Sequence, residues 1–197
     1  GAKCGRFEAD EKTAAYYGIP LSEIDWIRID DEAQYEKVLT YDVSTLEPQL
    51  SCPQGVDNVY PISEVLGTPM DEVYIGSCTN GSLEDLKAAA DILRGKKVAN
   101  HVRVIVVPAT NTVFKEAIEK GYIKDFIEAG CVISHPCCGL CCGMPYGLMY
   151  DDERILLTAN RNFIGRQGTK KTLGYLSSPA VAAATALTGV VTDPRTL

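Results

Sequence analysis

Four of the eight cysteines lie within one six-residue stretch of the chain. The stretch holds a Cys-x-x-Cys pair, Cys138 and Cys141, with Cys137 and Cys142 directly beside it. Disulfide frameworks are typical of small secreted domains, where the cysteines are spread along the chain. Thiols clustered in this way are more typical of metal or redox chemistry in a reducing compartment.

The spacing of the cysteines leaves three chemistries open. A structural zinc site needs four ligands, usually in two close pairs, and the upstream Cys78 has no close partner in the sequence. A thioredoxin-like redox pair needs Cys138 and Cys141 alone and gives Cys78 no role. An iron–sulfur cluster is held by thiolates, normally four. Three thiolates on a four-iron cluster would leave one iron open, as a Lewis acid requires.

Cys78 falls between a predicted strand at 72–75 and a predicted helix at 83–93. Ser82 and Asp85 have the spacing of a variant capping box at the start of that helix. Cys78 would then lie near the positive end of the helix, which favours the thiolate form that binds metals. The alternative is a small buried residue in a tight turn, a common place for a free cysteine.

Two arginines follow the predicted strand at 155–159. Arg161 and Arg166 lie there among Asn and Gly residues. Guanidinium groups bind carboxylates through two parallel hydrogen bonds. The pattern therefore favours binding of an anionic ligand. The alternative interpretation is that the two arginines are solvated surface residues without a ligand.

Composition and net charge exclude several classes of protein. The 197 residues are 46% hydrophobic and 23% charged, which is typical of a globular chain of one or two domains. The net charge of −7 argues against nucleic-acid or anionic-membrane partners. The sequence has no apolar run of about eighteen residues that would span a membrane. It also has no leader pattern, so we expect a cytoplasmic protein.

The predicted elements indicate an α/β fold. From residue 70 onward, apolar strands alternate with amphipathic helices, which implies a parallel sheet covered by helices on both faces. Ligands of such sheets bind beyond the carboxyl ends of the strands, where Cys78, Cys138 and Cys141 would converge. Residues 37–43 alternate as a strand does. A proline-rich stretch then predicts a boundary between residues 1–55 and 56–197.

Three motifs, in this order along the chain, together resemble the aconitase superfamily: Ile75-Gly-Ser-Cys-Thr-Asn80, Cys138-Gly-Leu-Cys141 and Asn160-Arg-Asn-Phe-Ile-Gly-Arg166. Within it they are most similar to the large subunits of 3-isopropylmalate dehydratases and homoaconitases. Segments 1–13 and 175–184 are similar to further parts of that family. The resemblance covers nearly the whole chain and is more specific than any one of its motifs.

The resemblance implies a site and an activity. Cys78, Cys138 and Cys141 would hold a [4Fe-4S] cluster with one open iron. Arg161 and Arg166 would bind substrate carboxylates, and Asn80 and Asn160 would lie beside the cluster. The implied activity is that of a hydro-lyase, which removes and adds water on a hydroxy-di- or tricarboxylate such as 3-isopropylmalate, homocitrate or homoisocitrate. Residues 56–197 would be the cluster-bearing α/β domain, and residues 1–55 the remnant of a preceding aconitase-type domain.

The sequence also departs from the family. Leu140 stands where the family usually has Pro, and Cys137 and Cys142 where it has other residues. The chain resembles the C-terminal half of a large subunit, and neither His101 nor His135 lies on a matching motif. We therefore expect no catalytic acid or base within this chain, an inactive isolated chain, and a separate small subunit that carries the swivelling domain. The alternative functions are a non-catalytic iron–sulfur or zinc-binding sensor and a thiol redox protein.

Overall fold

The structure is a computed structural model that describes residues 5–143 and 146–197, so the segment 1–13 begins outside the described residues. The chain divides into two compact units, Gly1–Thr45 and Leu46–Leu197. The sequence placed the boundary later, after residue 55. The difference arises because a short strand at Gln49–Ser51 pairs within the sheet of the second unit. That the first unit is a remnant of another domain stays a prediction.

From residue 5 onward, the first unit contains two short helices. Helix α1 (Glu11–Tyr17) begins at Asp10, whose carboxylate accepts a hydrogen bond from the backbone N–H of Thr13, and α2 (Leu21–Ile24) follows. The predicted strand at 37–43 is wrong, because these residues form no strand and pair with no other described residue of the unit. Alternation alone does not make a strand, since its backbone groups need a neighbouring strand to bond with.

The second unit is built on one sheet, which in the described residues has seven strands. Their spatial order is β2-β1-β7-β6-β3-β4-β5. The strands are β1 (Gln49–Ser51), β2 (Val59–Pro61), β3 (Glu72–Gly76), β4 (Arg103–Val107), β5 (Val132–Ile133), β6 (Arg154–Leu157) and β7 (Leu173–Leu176). Strands β7, β6, β3, β4 and β5 are parallel, and β1 and β2 extend the sheet in antiparallel pairing. The α/β class is confirmed, whereas β1, β2 and β7 were not predicted.

Six helices lie along the described part of this unit. They are α3 (Ile62–Val65), α4 (Ser77–Asn80), α5 (Leu83–Leu93), α6 (Asn111–Glu119), α7 (Tyr122–Ala129) and α8 (Pro179–Thr188). A 3-10 turn, Gly139–Cys142, carries the clustered cysteines. The four longer helices match the predicted ones, because each has an apolar stripe or, for α8, a run of buried small residues.

The two faces of the sheet are covered differently. On one face, Val73, Val104 and Leu156 pack against α5, α7 and α8. The other face carries Tyr74 and Ile105 among others, and its buried partners outside the strands are Leu140, Cys141, Met149 and Ala159. The expectation of helices on both faces is therefore corrected for the described residues. The cysteine turn and nearby loops bury the second apolar face, as a strand with alternating faces requires.

Candidate metal centre

The turn that carries Cys78 is held tightly at the end of β3. Gly76 and Ser77 both have positive φ angles, 109° and 81°, and a Cβ on Gly76 would lie 2.0 Å from the carbonyl oxygen of Val107. The Thr158 Oγ1 accepts a hydrogen bond of 2.7 Å from the Gly76 N–H. Only glycine allows so close an approach at that position. The turn is thereby fixed against the carboxyl ends of β4 and β6.

Cys78 itself lies in the four-residue helix α4 and is exposed. The alternative of a buried turn residue is therefore wrong. The predicted capping box is confirmed: Ser82 Oγ accepts from the Asp85 N–H at 3.2 Å, and Asp85 Oδ2 accepts from the Ser82 N–H at 3.1 Å. These bonds fix the start of α5 directly after the Cys78 turn.

The cysteine turn is tethered at both ends. The Tyr74 hydroxyl donates a hydrogen bond of 3.2 Å to the carbonyl oxygen of Cys138, the residue that precedes the 3-10 turn. The Arg166 Nε donates a hydrogen bond of 2.6 Å to the carbonyl oxygen of Cys141. Cys141 is buried, whereas Cys138 and Cys142 are exposed.

The two cysteine segments meet in space. The charges of Cys142, Cys78 and Cys141, with Cys142 the strongest, raise the pKa of the Cys138 thiol. The contacts of the two segments agree with this: Tyr74, on the strand that ends at the Cys78 turn, bonds the Cys138 carbonyl, and the segment 160–166 bonds both Thr79 and the Cys141 carbonyl. Burial, followed by the charges of the four clustered cysteines, raises the pKa of Tyr74. Cys78 and Cys138 thus share one site although they lie far apart in the sequence.

The thiols are neighbours without forming a finished coordination shell. Within the ranges 5–143 and 146–197, no group of three or more His, Cys, Asp or Glu side chains stands in position to hold a metal ion. Cys137 turns towards Ser134, with 3.8 Å between Sγ and Oγ, and Cys142 Sγ lies 3.6 Å from the carbonyl oxygen of Gly139. The two cysteines that the sequence left without a role therefore have different neighbours: Cys137 lies beside Ser134, and Cys142 lies beside the carbonyl oxygen of Gly139.

The asparagine pair joins the segment after β6 to the Cys78 turn. Asn80 Nδ2 donates a hydrogen bond to the carbonyl oxygen of Thr158, and Asn160 Nδ2 donates one of 2.7 Å to Thr79 Oγ1. Asn80 thus bonds the segment after β6, and Asn160 bonds the Cys78 turn; that the two lie beside a cluster stays a prediction. Their observed contacts are structural ones that orient the turn.

The two predicted arginines have different environments. Arg161 is exposed, and its Nη1 donates a hydrogen bond of 2.8 Å to the carbonyl oxygen of Asn160. Arg166 is half-buried against the cysteine turn, where it bonds the Cys141 carbonyl. Each guanidinium has five N–H donors, so one such bond leaves further donors for an anion.

Sequence reasoning missed the residues that support the site. The Asn162 side chain is buried, and its Nδ2 lies within hydrogen-bond distance of the Cys52 carbonyl at 2.8 Å, the Gly174 carbonyl at 3.1 Å and Ser51 Oγ at 3.2 Å. The buried Gln167 donates a hydrogen bond of 2.8 Å to the carbonyl oxygen of Arg161. These two amides fix the loop that carries the arginines. The one feature of the sequence that could have indicated them is their position between Arg161 and Gly168, inside the arginine segment.

The residues of the site fit an iron–sulfur cluster in their donor chemistry. Thiolates are the ligands that iron–sulfur clusters use, and two separate cysteine segments come together at the carboxyl ends of the strands. The Ser77 Oγ beside Cys78 is buried and has no hydrogen-bond partner in the described part of the chain. A buried polar atom left without a partner is costly, so it marks a place where a further group would add an interaction.

Comparison with known proteins places this site in a family. The model of the aconitase family (aconitate hydratase) matches residues 1–189. The chain belongs to the aconitase family. The α/β sheet and the paired cysteine segments of this chain are thus those of an aconitase-family domain.

Three relatives of this chain are all named as large subunits of a 3-isopropylmalate dehydratase. A probable 3-isopropylmalate dehydratase large subunit of Methanosarcina mazei is 48% identical, over 99% of this chain and 47% of its own length. The 3-isopropylmalate dehydratase large subunit of Nitratidesulfovibrio vulgaris (strain DSM 19637 / Miyazaki F) is 47% identical, over 100% of this chain and 47% of its own length. The 3-isopropylmalate dehydratase large subunit 1 of Archaeoglobus fulgidus is 48% identical, over 99% of this chain and 47% of its own length. The chain spans about half the length of these relatives.

In residues 5–143 and 146–197, no helix is both long enough and apolar enough to cross a membrane.

Proposed function

We propose that this chain is the cluster-binding part of an iron–sulfur hydro-lyase that acts on a hydroxy-di- or tricarboxylate such as 3-isopropylmalate or homocitrate/homoisocitrate. The observation that carries this proposal is that the Cys78 turn and the cysteine turn are both bonded to the segment 160–166, through Thr79 and through the Cys141 carbonyl, since thiols from two segments are what a cluster needs. The names of the relatives support the dehydratase activity.

In this proposal Cys78, Cys138 and Cys141 hold a [4Fe-4S] cluster. When bound, the cluster supplies a Lewis acid that eases the loss of hydroxide from the substrate. Tyr74 and Arg166 fix the backbone of the ligands Cys138 and Cys141 by their hydrogen bonds to the two carbonyl oxygens. Pre-positioned ligands reduce the ordering that cluster binding requires.

The arginines bind the substrate carboxylates. Arg161 is exposed and fixed by its bond to the Asn160 carbonyl, and Arg166 is fixed by the Cys141 carbonyl. A guanidinium fork that is already ordered loses less freedom when it binds a carboxylate through two hydrogen bonds. Asn80 and Asn160 keep this segment against the Cys78 turn.

The proton-transfer groups come from elsewhere in this proposal. The two histidines lie outside the matching motifs, and the relatives, named large subunits, are about twice as long as this chain. We infer that the remainder of a large subunit and a small subunit with a swivelling domain supply the acid and the base. The C-terminal position of this chain within a large subunit, the cytoplasmic location and the lack of nucleic-acid or membrane partners stay predictions of the sequence.

One observation favours a second candidate, a non-catalytic zinc or iron–sulfur sensor. Cys142 lies in the same 3-10 turn as Cys141 and is exposed, so a fourth thiol stands beside the three proposed ligands. Four thiolates satisfy a structural zinc ion or a closed cluster.

Anaerobic reconstitution separates the hydro-lyase from a zinc sensor, and Cys142→Ser, which removes the fourth thiol that a closed cluster needs, separates it from an iron–sulfur sensor. The chain is incubated with ferrous iron and sulfide, or with zinc alone, and bound metal, sulfide and visible absorption are measured. We expect a cluster absorption band that Cys138→Ser abolishes, because a hydroxyl group replaces a thiolate poorly. Cys131→Ser, which changes a buried cysteine of the core, is the matched control and should keep the band. Tight binding of one zinc ion with no uptake of iron and sulfide would support the sensor and contradict the hydro-lyase.

A further inference from the structure

We propose that Tyr74 is a positioning residue: its hydroxyl group fixes the turn at Cys138 and Gly139 and thereby presets the Cys138 and Cys141 thiols. The part of this inference that concerns the cluster rests on the proposed function. The part that concerns the turn rests on the contacts of Tyr74 alone.

Tyr74 lies in the strand that ends at the Cys78 turn. Its side chain is fully buried, on the face of the sheet where Leu140 and Cys141 also pack. Its hydroxyl donates a hydrogen bond of 3.2 Å to the carbonyl oxygen of Cys138. Strand β3 thus leads into the Cys78 turn at its end, and its Tyr74 side chain bonds the second cysteine segment at Cys138.

The turn fits closely under the tyrosine hydroxyl. Gly139 has a φ of +48°, and a Cβ on it would lie 2.5 Å from the Tyr74 hydroxyl oxygen and 3.5 Å from the Tyr74 Cζ. The hydroxyl oxygen is therefore the nearest atom that a side chain at position 139 would meet, in addition to the strain that the positive φ itself imposes. This close approach means that the hydroxyl, more than the ring, defines where the turn lies.

The position of the hydroxyl has a physical reason. A buried tyrosine hydroxyl needs a hydrogen-bond partner, and the cysteine turn supplies one through a backbone carbonyl. The turn is only a short 3-10 segment, so few bonds of its own keep it in place. A bond from a rigid central strand limits its opening, and sites supported by rigid elements hold their ligands more precisely.

Cysteine alkylation of the cluster-free full chain tests this role. Three cysteines are equally protected: Cys52, Cys131 and Cys141 are 7%, 8% and 8% exposed. Tyr74→Phe keeps the ring and removes the hydroxyl. We expect iodoacetamide to modify Cys141 about fivefold faster in this variant, which corresponds to one net hydrogen bond of about 1 kcal/mol.

The other two cysteines separate a local effect from a general one. The modification rates of Cys52 and Cys131, measured site by site by mass spectrometry, should stay unchanged in Tyr74→Phe. The control is Tyr122→Phe, which removes a hydroxyl from a buried tyrosine of α7 and should alter none of the three rates. An unchanged rate at Cys141, or an equal acceleration at all three cysteines, would overturn the proposal.

A second variant tests the hydroxyl contact directly. Gly139→Ala places a methyl group against the Tyr74 hydroxyl, so it should accelerate Cys141 modification strongly. The same substitution in the Tyr74→Phe background should accelerate it less, because the atom at 2.5 Å is gone and the remaining ring carbon is at ordinary contact distance. Equal acceleration in both backgrounds would mean that the hydroxyl does not define the turn, and the proposal would fail.

Cluster retention tests the link to the proposed function. After anaerobic reconstitution, Tyr74→Phe should release iron to a chelator several-fold faster than the wild-type chain, and Tyr122→Phe at the wild-type rate. Equal release from Tyr74→Phe and the wild type would overturn the link between Tyr74 and the cluster. Failure of the wild-type chain to take up a cluster would instead contradict the proposed function, and the alkylation rates would still decide whether Tyr74 fixes the turn.

Discussion

The Nε of Arg166 lies 2.6 Å from the carbonyl oxygen of Cys141 and donates a hydrogen bond to it. An arginine that the sequence assigned to the substrate therefore also supports a proposed cluster ligand. The bond joins the two motifs directly, so a change in Arg166 is expected to affect the cysteine turn as well as anion binding.

The two arginines should respond differently to substitution by lysine. In the complete enzyme, Arg161→Lys should raise KM about tenfold or more and leave the cluster absorption unchanged, because a point charge replaces a two-point fork. Arg166→Lys should raise KM and also speed cluster loss, since the bond to Cys141 is removed. Steady-state kinetics and the visible spectrum measure both effects, with Arg94→Lys, at the exposed residue directly after α5, as the control. Identical behaviour of the two variants would contradict the separate roles.

Cys142→Ser should retain the cluster if Cys78, Cys138 and Cys141 are its ligands. The residue lies beside Cys138, so its thiol has access to the site without belonging to the proposed ligand set. The reconstituted variant should show the wild-type ratio of iron to protein. Loss of the cluster in Cys142→Ser would show that the assigned ligands are wrong.

Glu72 should make the stability of the protein depend on pH. Burial raises the pKa of Glu72 from 4.5 to about 7, although Arg103, with its Nε 2.9 Å from Glu72 Oε2, acts in the opposite direction. Because the folded pKa is the higher one, this carboxyl contributes most stability below about pH 4.5 and loses it as the pH rises through about 7. Glu72→Gln, which mimics the neutral form, should therefore flatten the fall in the free energy of unfolding over that range.

Chemical denaturation at several pH values measures this effect. Glu153, which also pairs with Arg103, is the matched control, because hydrogen bonds from Arg103 and from the Tyr150 backbone N–H lower its pKa. The contribution of Glu153 to the free energy of unfolding depends on pH in the opposite direction. It is present at neutral pH and is lost as the pH falls through the lowered pKa of Glu153. A Glu72→Gln variant with the pH profile of the wild type would exclude the proposed titration.

Asn162→Ala should destabilise the fold by about 3 kcal/mol, because the buried carbonyl groups of Cys52 and Gly174 lose their amide partner. Asn160→Ala is the control, since this side chain is exposed and bonds only Thr79 among the described residues. The free energies of unfolding from urea titrations give the comparison. Equal losses in the two variants would mean that Asn162 does not fix the arginine loop.

The chain by itself should not hydrate unsaturated di- or tricarboxylates at a measurable rate. General acid and base groups typically contribute ~10²–10⁴-fold to such a reaction, and the proposed site in this chain holds anchors and a cluster without them. Addition of the remaining half of a large subunit and of the small subunit should restore turnover, followed by absorption of the double bond. Robust turnover by the purified chain alone would place the catalytic base within residues 1–197.

The sequence by itself determined the class of fold and predicted which residues would carry chemistry. Cys78, Cys138 and the arginine segment were identifiable because their types and spacing are chemical constraints that persist in any conformation. The longer helices and four of the five parallel strands, all but β7, were identifiable because apolar periodicity is local. The Ser82–Asp85 box was correct for the same reason, since both residues lie within one helical turn.

Tertiary structure alone decided how these parts meet. The bonds from Tyr74 to Cys138 and from Asn162 to Cys52 join residues far apart in the sequence, and neither spacing nor composition encodes such contacts. The sequence also did not show that the longer helices lie on one face of the sheet. A strand that is apolar on both sides indicates that both of its faces are buried, but it does not indicate which elements cover them. Whether a loop or a helix covers a face depends on the summed packing of the whole unit, a global property that no local segment determines.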